Sequence, residues 1–283
     1  MENTKTLNLA NIEKSDIKYK ITTFPDGEPN LEFEKIDNKY PITVKARVCN
    51  PKDIYTLLLA LDVLNRWEAN YDVFVSYLIG ARMDRLMDIT RPISYKIVAG
   101  ILTTYTKGRI DVFDCHANKK PRFPFPFFNT TIETNGAIGG IDEKKDLLLF
   151  PDLSAFKRYY QTLTDEYDNQ CLRMTCCDKQ RTDGNVTTNI NNYTIGMIKE
   201  SERVIIIDDI IDGGRTISNV IDSIRENAPN VKIHVYASHC VNKEGLKRIL
   251  SKSDQLTTTN SYKDWQSEPD LKENPNLKVI EII

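Results

Sequence analysis

The sequence lacks the signatures that would place it among several large classes. Its six cysteines, Cys49, Cys115, Cys171, Cys176, Cys177 and Cys240, include no C-x-x-C pair, which removes zinc-ribbon and thioredoxin-like spacing. Reduced thiols in a cytoplasmic protein are the expectation that follows. Apolar runs such as residues 204–207 are far shorter than the ~20 residues needed to span a bilayer, so no membrane partner is expected. Neither sign of charge dominates: 38 Lys and Arg against 40 Asp and Glu leave a net charge of −2, without the basic excess of a nucleic-acid binder. The polar, mixed-charge first residues do not read as a signal peptide, and no short-period repeat suggests a solenoid. What is present is a 283-residue chain with 40% apolar and 28% charged residues. That is enough for a real core, with one large or two medium domains at ~150 residues each.

Strand-like and helix-like segments alternate. Residues 17–24 and 31–36 read as paired strands around Pro25-Asp26-Gly27, and 42–48 as a third β-rich run. Residues 53–68 place Ile54, Leu57, Leu58, Leu61 and Leu64 on one helical face. A strand at 71–77, a helix at 91–105 with Pro92 in its first turn, and a strand at 110–113 follow. Residues 118–131 hold three prolines among four phenylalanines and are expected to be irregular, as a linker, a lid or a packed loop. The alternation then restarts: strands at 147–150, 171–177, 203–207, 231–237 and 277–282, and helices at 154–167, 216–225 and 243–250, with 185–192 as loop. The expected fold class is α/β, with two similar domains at 1–140 and 141–283, each a mainly parallel sheet flanked by helices.

One segment carries chemistry on its face. Residues 204–216, VIIIDDIIDGGRT, run from branched apolar residues into Asp208 and Asp209, then Asp212, Gly213, Gly214, Arg215 and Thr216. Carboxylates at the carboxyl end of a parallel strand face the ligand crevice, where they suit sugar hydroxyls or a Mg²⁺. Glycines let several N–H groups converge on an anion, and a following helix N-terminus favours phosphate. A diol reader followed by a phosphate cradle describes ribose 5-phosphate. The plainer alternative is a buried strand ending in an acidic capped turn.

The segment resembles the ribose-phosphate loop of the type I phosphoribosyltransferase superfamily. Residues 73–117 sharpen the resemblance. They hold Arg82-Met83-Asp84-Arg85, Pro92-Ile93-Ser94 with Lys96, and Asp114-Cys115-His116-Ala117, and so resemble the ribose-phosphate pyrophosphokinase (5-phosphoribosyl 1-pyrophosphate, PRPP, synthetase) family. Further matches follow in family order: Phe24-Pro25-Asp26-Gly27-Glu28, Pro151-Asp152 with Lys157-Arg158, Asp178-Lys179-Gln180-Arg181, and Ser238-His239-Cys240.

The resemblance implies a transferase making PRPP and AMP from ATP and ribose 5-phosphate, with Mg²⁺ as cofactor and a homodimer or larger ring as the assembly. It implies ATP contacts from Phe24, Asp26, Glu28, Arg82, Met83, Asp84 and Arg85. It implies catalysis by Lys179, Arg181 and His116, and metal binding by His116 and Asp152. Asp208, Asp209, Asp212, Gly213, Gly214, Arg215 and Thr216 would hold ribose 5-phosphate. This sequence departs from the family pattern at Met83, where Gln is usual, and at Leu153-Ser154-Ala155, in place of Ala-Gly-Gly. It departs again at Gly213-Gly214-Arg215, in place of Thr-Ala-Gly. Ile89-Thr90 replaces a Ser-Arg pair tied to regulation, which implies weak or absent allosteric control. Two other functions share part of the pattern: a PRPP-consuming phosphoribosyltransferase, and a non-catalytic synthetase-like regulatory subunit.

Overall fold

The computed structural model describes residues 4–34, 39–117, 127–130, 137–166, 172–182 and 185–283. By its internal contacts the chain divides into unit 1, Met1–Thr131 with Ile282–Ile283, and unit 2, Ile132–Glu281.

Unit 1 contains strands β1 (Lys5–Asn8), β2 (Tyr19–Thr23), β3 (Pro29–Phe33) and β4 (Ile42–Val48), then helix α1 (Pro51–Arg66). Strand β5 (Tyr71–Leu78), helix α2 (Ser94–Tyr105), and strands β6 (Ile110–Phe113) and β7 (Phe127–Thr130) complete it. The order β1-β4-β5-β6-β7 forms a parallel sheet, and β2 and β3 pair as an antiparallel hairpin. In β4 every second residue, Ile42, Val44, Ala46 and Val48, is buried, as the strand period dictates. Helix α1 covers the sheet with Leu57, Leu61 and Leu64, while Ile54 and Leu58 pack partly buried beside them. A capping box fixes its start: Asn50 Oδ1 accepts from Asp53 N–H, and the Asp53 carboxylate accepts from Asn50 N–H.

Two expectations in unit 1 need correction. Helix α2 begins at Ser94, so Pro92 precedes the helix rather than sitting in its first turn. Residues 127–130, expected to be irregular, form β7 and pair in parallel with β6. The three prolines all precede this stretch, which leaves its N–H groups able to join a ladder. The remainder of the proline-rich run, 118–126, lies outside the described residues.

Unit 2 contains β8 (Asp146–Phe150), α3 (Leu153–Glu166), β9 (Met174–Cys176), β10 (Asp178–Thr182), β11 (Asn185–Asn189) and α4 (Asn192–Lys199). It continues with β12 (Arg203–Ile211), α5 (Arg215–Asn227), β13 (Lys232–Cys240), α6 (Lys243–Leu250), β14 (Gln255–Thr259) and β15 (Leu277–Ile280). Strands β15-β14-β13-β12-β8-β9 form a parallel sheet. Its two faces feed two cores. Leu147, Leu149, Val204 and Ile206 pack with Ile217, Ile221 and Ile224 of α5, while Leu148, Phe150, Ile205 and Ile207 pack with Tyr159 and Leu163 of α3. Adjacent residues of one strand thus serve opposite layers, which is why these runs read as continuously apolar.

Residues 185–192, expected to be loop, supply β11 and the start of α4 instead. Strand β11 pairs antiparallel with β10, an exchange of main-chain bonds that needs no apolar side chains. Both units are α/β with parallel sheets flanked by helices. Among the described residues no helix is long and apolar enough to cross a membrane.

Candidate functional site

Asp208 and Asp209 do not follow the strand but lie in it. Strand β12 continues to Ile211, with Asp208 paired to Ala237, Ile210 to His239 and Ile211 to Cys240. The central position in the sheet forces this: the ladder with β13 runs on past the apolar residues and carries the two acids with it. The Asp209 side chain is buried and meets Arg158 of α3, whose Nη2 lies 3.3 Å from Asp209 Oδ2. Asp208 Oδ1 accepts from the Asp209 N–H at 2.9 Å. Burial, and after it the negative charges of Asp209 and Asp152, hold the Asp208 carboxyl well above the usual carboxylate range. Tyr159 braces the same point, its hydroxyl donating to the Asp208 carbonyl at 3.3 Å.

Asp212, Gly213 and Gly214 form the turn into α5. Gly214 is the N-cap with φ +68°, left-handed backbone that suits glycine, and it provides no side-chain cap to the helix. The first-turn amides of a 13-residue helix are therefore left for another acceptor, which makes this end fit for an anion. Gly213, Gly214 and Thr216 are half-buried, and Arg215 is exposed. Helix α6 lies directly under the turn. A Cβ on Gly245 would sit 1.7 Å from the Asp212 carbonyl oxygen, and one on Gly214 would sit 2.9 Å from the Gly245 carbonyl oxygen. Arg248 Nη1 donates to the Gly213 carbonyl from the same helix.

Asp152 caps α3, its Oδ1 accepting from the N–H groups of Ser154 and Ala155 at 2.9 and 3.0 Å. It is close enough to Asp208 for their charges to interact. Unit 2 therefore brings Asp152, Asp208 and Asp209 together, with Arg158 the countercharge facing Asp209. At the end of β13, His239 Nδ1 lies 2.8 Å from Ser261 Oγ, and the Ser238 carbonyl accepts from Thr259 Oγ1 at 2.6 Å. Lys179 and Arg181 lie on the β10–β11 ribbon, paired by backbone with Thr188 and Val186.

Unit 1 holds the other predicted residues. Phe24, Asp26 and Glu28 occupy the tip of the β2–β3 hairpin. The turn closes through Phe24 N–H to the Glu28 carbonyl at 2.8 Å and Glu28 N–H to Asp26 Oδ1 at 3.1 Å, with Gly27 at φ +93°. The Phe24 ring is 52% exposed, so it is available to a ligand rather than committed to the core. Tyr55 of α1 donates to Glu28 Oε1 at 3.0 Å and ties the tip to the body of the unit. Arg82, Met83 and Arg85 are exposed in the segment after β5, and Asp84 is half-buried. Tyr95 joins this segment to 114–117: its N–H donates to the Met83 carbonyl at 3.2 Å, and its hydroxyl bonds the Cys115 side chain. Burial first, then the charges of Cys115 and Asp84, push the Tyr95 phenol above its ordinary range. Asp114 is fully buried with φ +37°, a conformation that costs energy for a residue with a Cβ, and His116 beside it is half-buried. His116 belongs to unit 1 and Asp152 to unit 2.

Sequence reasoning gives no place in this site to Tyr159, Gly245 and Arg248, and it matches Arg158 to a family motif without naming its partner Asp209. A glycine inside the helical pattern of 243–250 was the one available signal, since such a residue often marks close backbone approach. Nothing in the spacing of the other three announces their partners.

The family model for the phosphoribosyl transferase domain matches residues 171–272, the stretch that holds the ribbon, the acids and the glycine turn. A crystal structure of phosphoribosylpyrophosphate synthetase from Mycobacterium smegmatis is similar with a TM-score of 0.78, covering 99% of this chain and 95% of that one at 18% identity. Fold and site thus define a phosphoribosyltransferase-fold protein. Its sequence relatives are narrower. A ribose-phosphate pyrophosphokinase of Mycoplasmopsis pulmonis is 28% identical over 92% of this chain and 81% of the relative. One of Fusobacterium nucleatum is 26% identical over 94% and 83%. Over most of its length the chain is thus similar to ribose-phosphate pyrophosphokinases.

Proposed function

We propose that this protein is a ribose-phosphate diphosphokinase, transferring the β,γ-diphosphoryl group of ATP to the C1 hydroxyl of ribose 5-phosphate and releasing PRPP and AMP. The observation that carries the ribose 5-phosphate half of this reading is the juxtaposition in unit 2 of paired strand-borne carboxylates, Asp208 and Asp209, with an uncapped glycine turn at the start of α5; the ATP half rests on the likeness to ribose-phosphate pyrophosphokinases over most of the chain. In it, Asp208 and Asp209 hold the ribose hydroxyls. The N–H groups of residues 213–216 hold the 5-phosphate, with Asp212 and Arg215 flanking it. Unit 1 binds ATP: Arg82 and Arg85 take phosphate oxygens or the adenine face, Asp84 and the Met83 main chain shape their loop, and Phe24, Asp26 and Glu28 contact the base. Lys179 and Arg181 stabilise charge on the transferring phosphates.

Mg²⁺ fits the donors present. Asp152, Asp208 and Asp209 offer hard oxygen ligands, and their crowding, which raises the Asp208 carboxyl, is what a cation relieves. Among the described residues no group of three or more His, Cys, Asp or Glu side chains is arranged to hold a metal alone. That suits Mg²⁺ taken up by one or two carboxylates together with substrate oxygens, with His116 and Asp152 as the assigned protein ligands. When bound, the ion neutralises phosphate charge and lowers the proton affinity of the attacking hydroxyl. Cytoplasmic location and self-association into a homodimer or larger ring belong to the same reading, which involves neither nucleic acid nor membrane.

Incubation with ATP, Mg²⁺ and ribose 5-phosphate separates the three functions raised by the sequence. AMP and PRPP appearing together support the synthetase. Neither product supports a regulatory subunit, and PRPP loss that depends on an added nucleobase supports a transferase.

A further inference from the structure

The peptide between Gly213 and Gly214 is flanked by two residues without side chains. Such a peptide plane turns over at little cost, so its N–H points where a ligand needs it only if something outside the turn holds it. Helix α6 supplies that hold. Gly245 lets the helix come into main-chain contact with Asp212, and Arg248, one turn further along, donates to the Gly213 carbonyl. The peptide is trans, so its C=O and N–H point in opposite directions. With the carbonyl drawn to α6, the Gly214 N–H is turned to the opposite face of the turn, whose residues are half-buried to exposed.

We propose that Arg248 is a positioning residue for the anion cradle: by fixing the Gly213 carbonyl it aims the Gly214 N–H, together with the first amides of α5, at the phosphate of a sugar phosphate. The inference rests on the assignment of this turn to ribose 5-phosphate. It concerns the hydrogen bond Arg248 donates, not its charge, and it supplies a reason for the Gly-Gly turn of this chain to work where the family pattern carries bulkier residues.

The test is direct calorimetric titration of the full-length protein with ribose 5-phosphate in the presence of Mg²⁺, with melting temperature and ATP affinity measured alongside. Arg248→Met is expected to weaken ribose 5-phosphate by about tenfold, the loss of one aligned N–H to phosphate. ATP affinity should stay unchanged, and Arg248→Lys should recover most of the loss. Equal affinity of wild type and Arg248→Met would overturn the inference and leave the assignment of the turn intact. No binding by wild type would overturn the assignment, and the inference with it. Should Arg248→Met not fold, Arg248→Gln and Arg248→Lys carry the test. Affinity retained in both supports positioning through a donor; affinity lost only in Arg248→Gln means that charge is what matters and overturns it.

Discussion

Arg158 Nη2 lies 3.3 Å from Asp209 Oδ2, and each side chain keeps only 8% of its surface exposed. The pair joins α3 to β12 at the point where the strand turns from core to site. It also separates the surroundings of two adjacent acids: Asp209 has a cation, while Asp208 has burial and like charges. Removing the cation alone takes this countercharge away from a buried carboxylate. Arg158→Met is therefore expected to lower unfolding free energy by about 3–5 kcal/mol in urea titration. The double variant Arg158→Met, Asp209→Asn should recover a large part of that. A double variant no more stable than the single one would remove the ion pair from the account.

Asp208 makes the opposite prediction. Its carboxyl is held above the ordinary value by burial, then by Asp209 and Asp152. A raised carboxyl favours the folded state while protonated, and that advantage is lost as pH rises above the unfolded value of 3.8 toward the folded one. Asp208→Asn is then expected to melt higher than wild type at neutral pH, with the gap closing as pH falls toward 3.8, while ribose 5-phosphate binding is lost. Parallel melting curves at pH 4 and pH 7 check this; a gap that does not change with pH counts against it.

Gly245 is fixed by main-chain contact rather than by flexibility. The Cβ of Gly245→Ala would fall 1.7 Å from the Asp212 carbonyl oxygen, so α6 and the turn must separate. The expected cost is about 1–3 kcal/mol of stability, together with weaker ribose 5-phosphate binding. Wild-type melting and wild-type affinity in this variant would show that the turn does not rest on α6.

Lys179 lies on the β10–β11 ribbon, away from the glycine turn in sequence. Lys179→Ala is expected to lower turnover by about a hundredfold or more, as removal of a transition-state charge partner does. Ribose 5-phosphate affinity should remain close to wild type. Unchanged AMP release would take Lys179 out of the mechanism.

Much of the frame was legible because burial on both faces leaves continuous apolar runs, as at 147–150 and 204–207. The same logic misplaced the end of β12: two acids read as a strand terminus, yet the ladder with β13 continues through them to Ile211. Strand β14 was missed because Leu256 stands among threonines, although Thr257, Thr258 and Thr259 are all buried. β-Branched threonine was the signal there. In the site, the ordered motif residues were readable from the chain alone. The residues that brace them were not, since Arg248 and Gly213 are 35 positions apart and only folding makes them neighbours.

The account turns on an intact diphosphoryl group moving from ATP to the sugar. Phosphorus NMR of the protein with ATP, Mg²⁺ and ribose 5-phosphate reads this directly. The account predicts PRPP and AMP rising in equal amounts with no ADP; ADP with free phosphate, or no turnover at all, would contradict it.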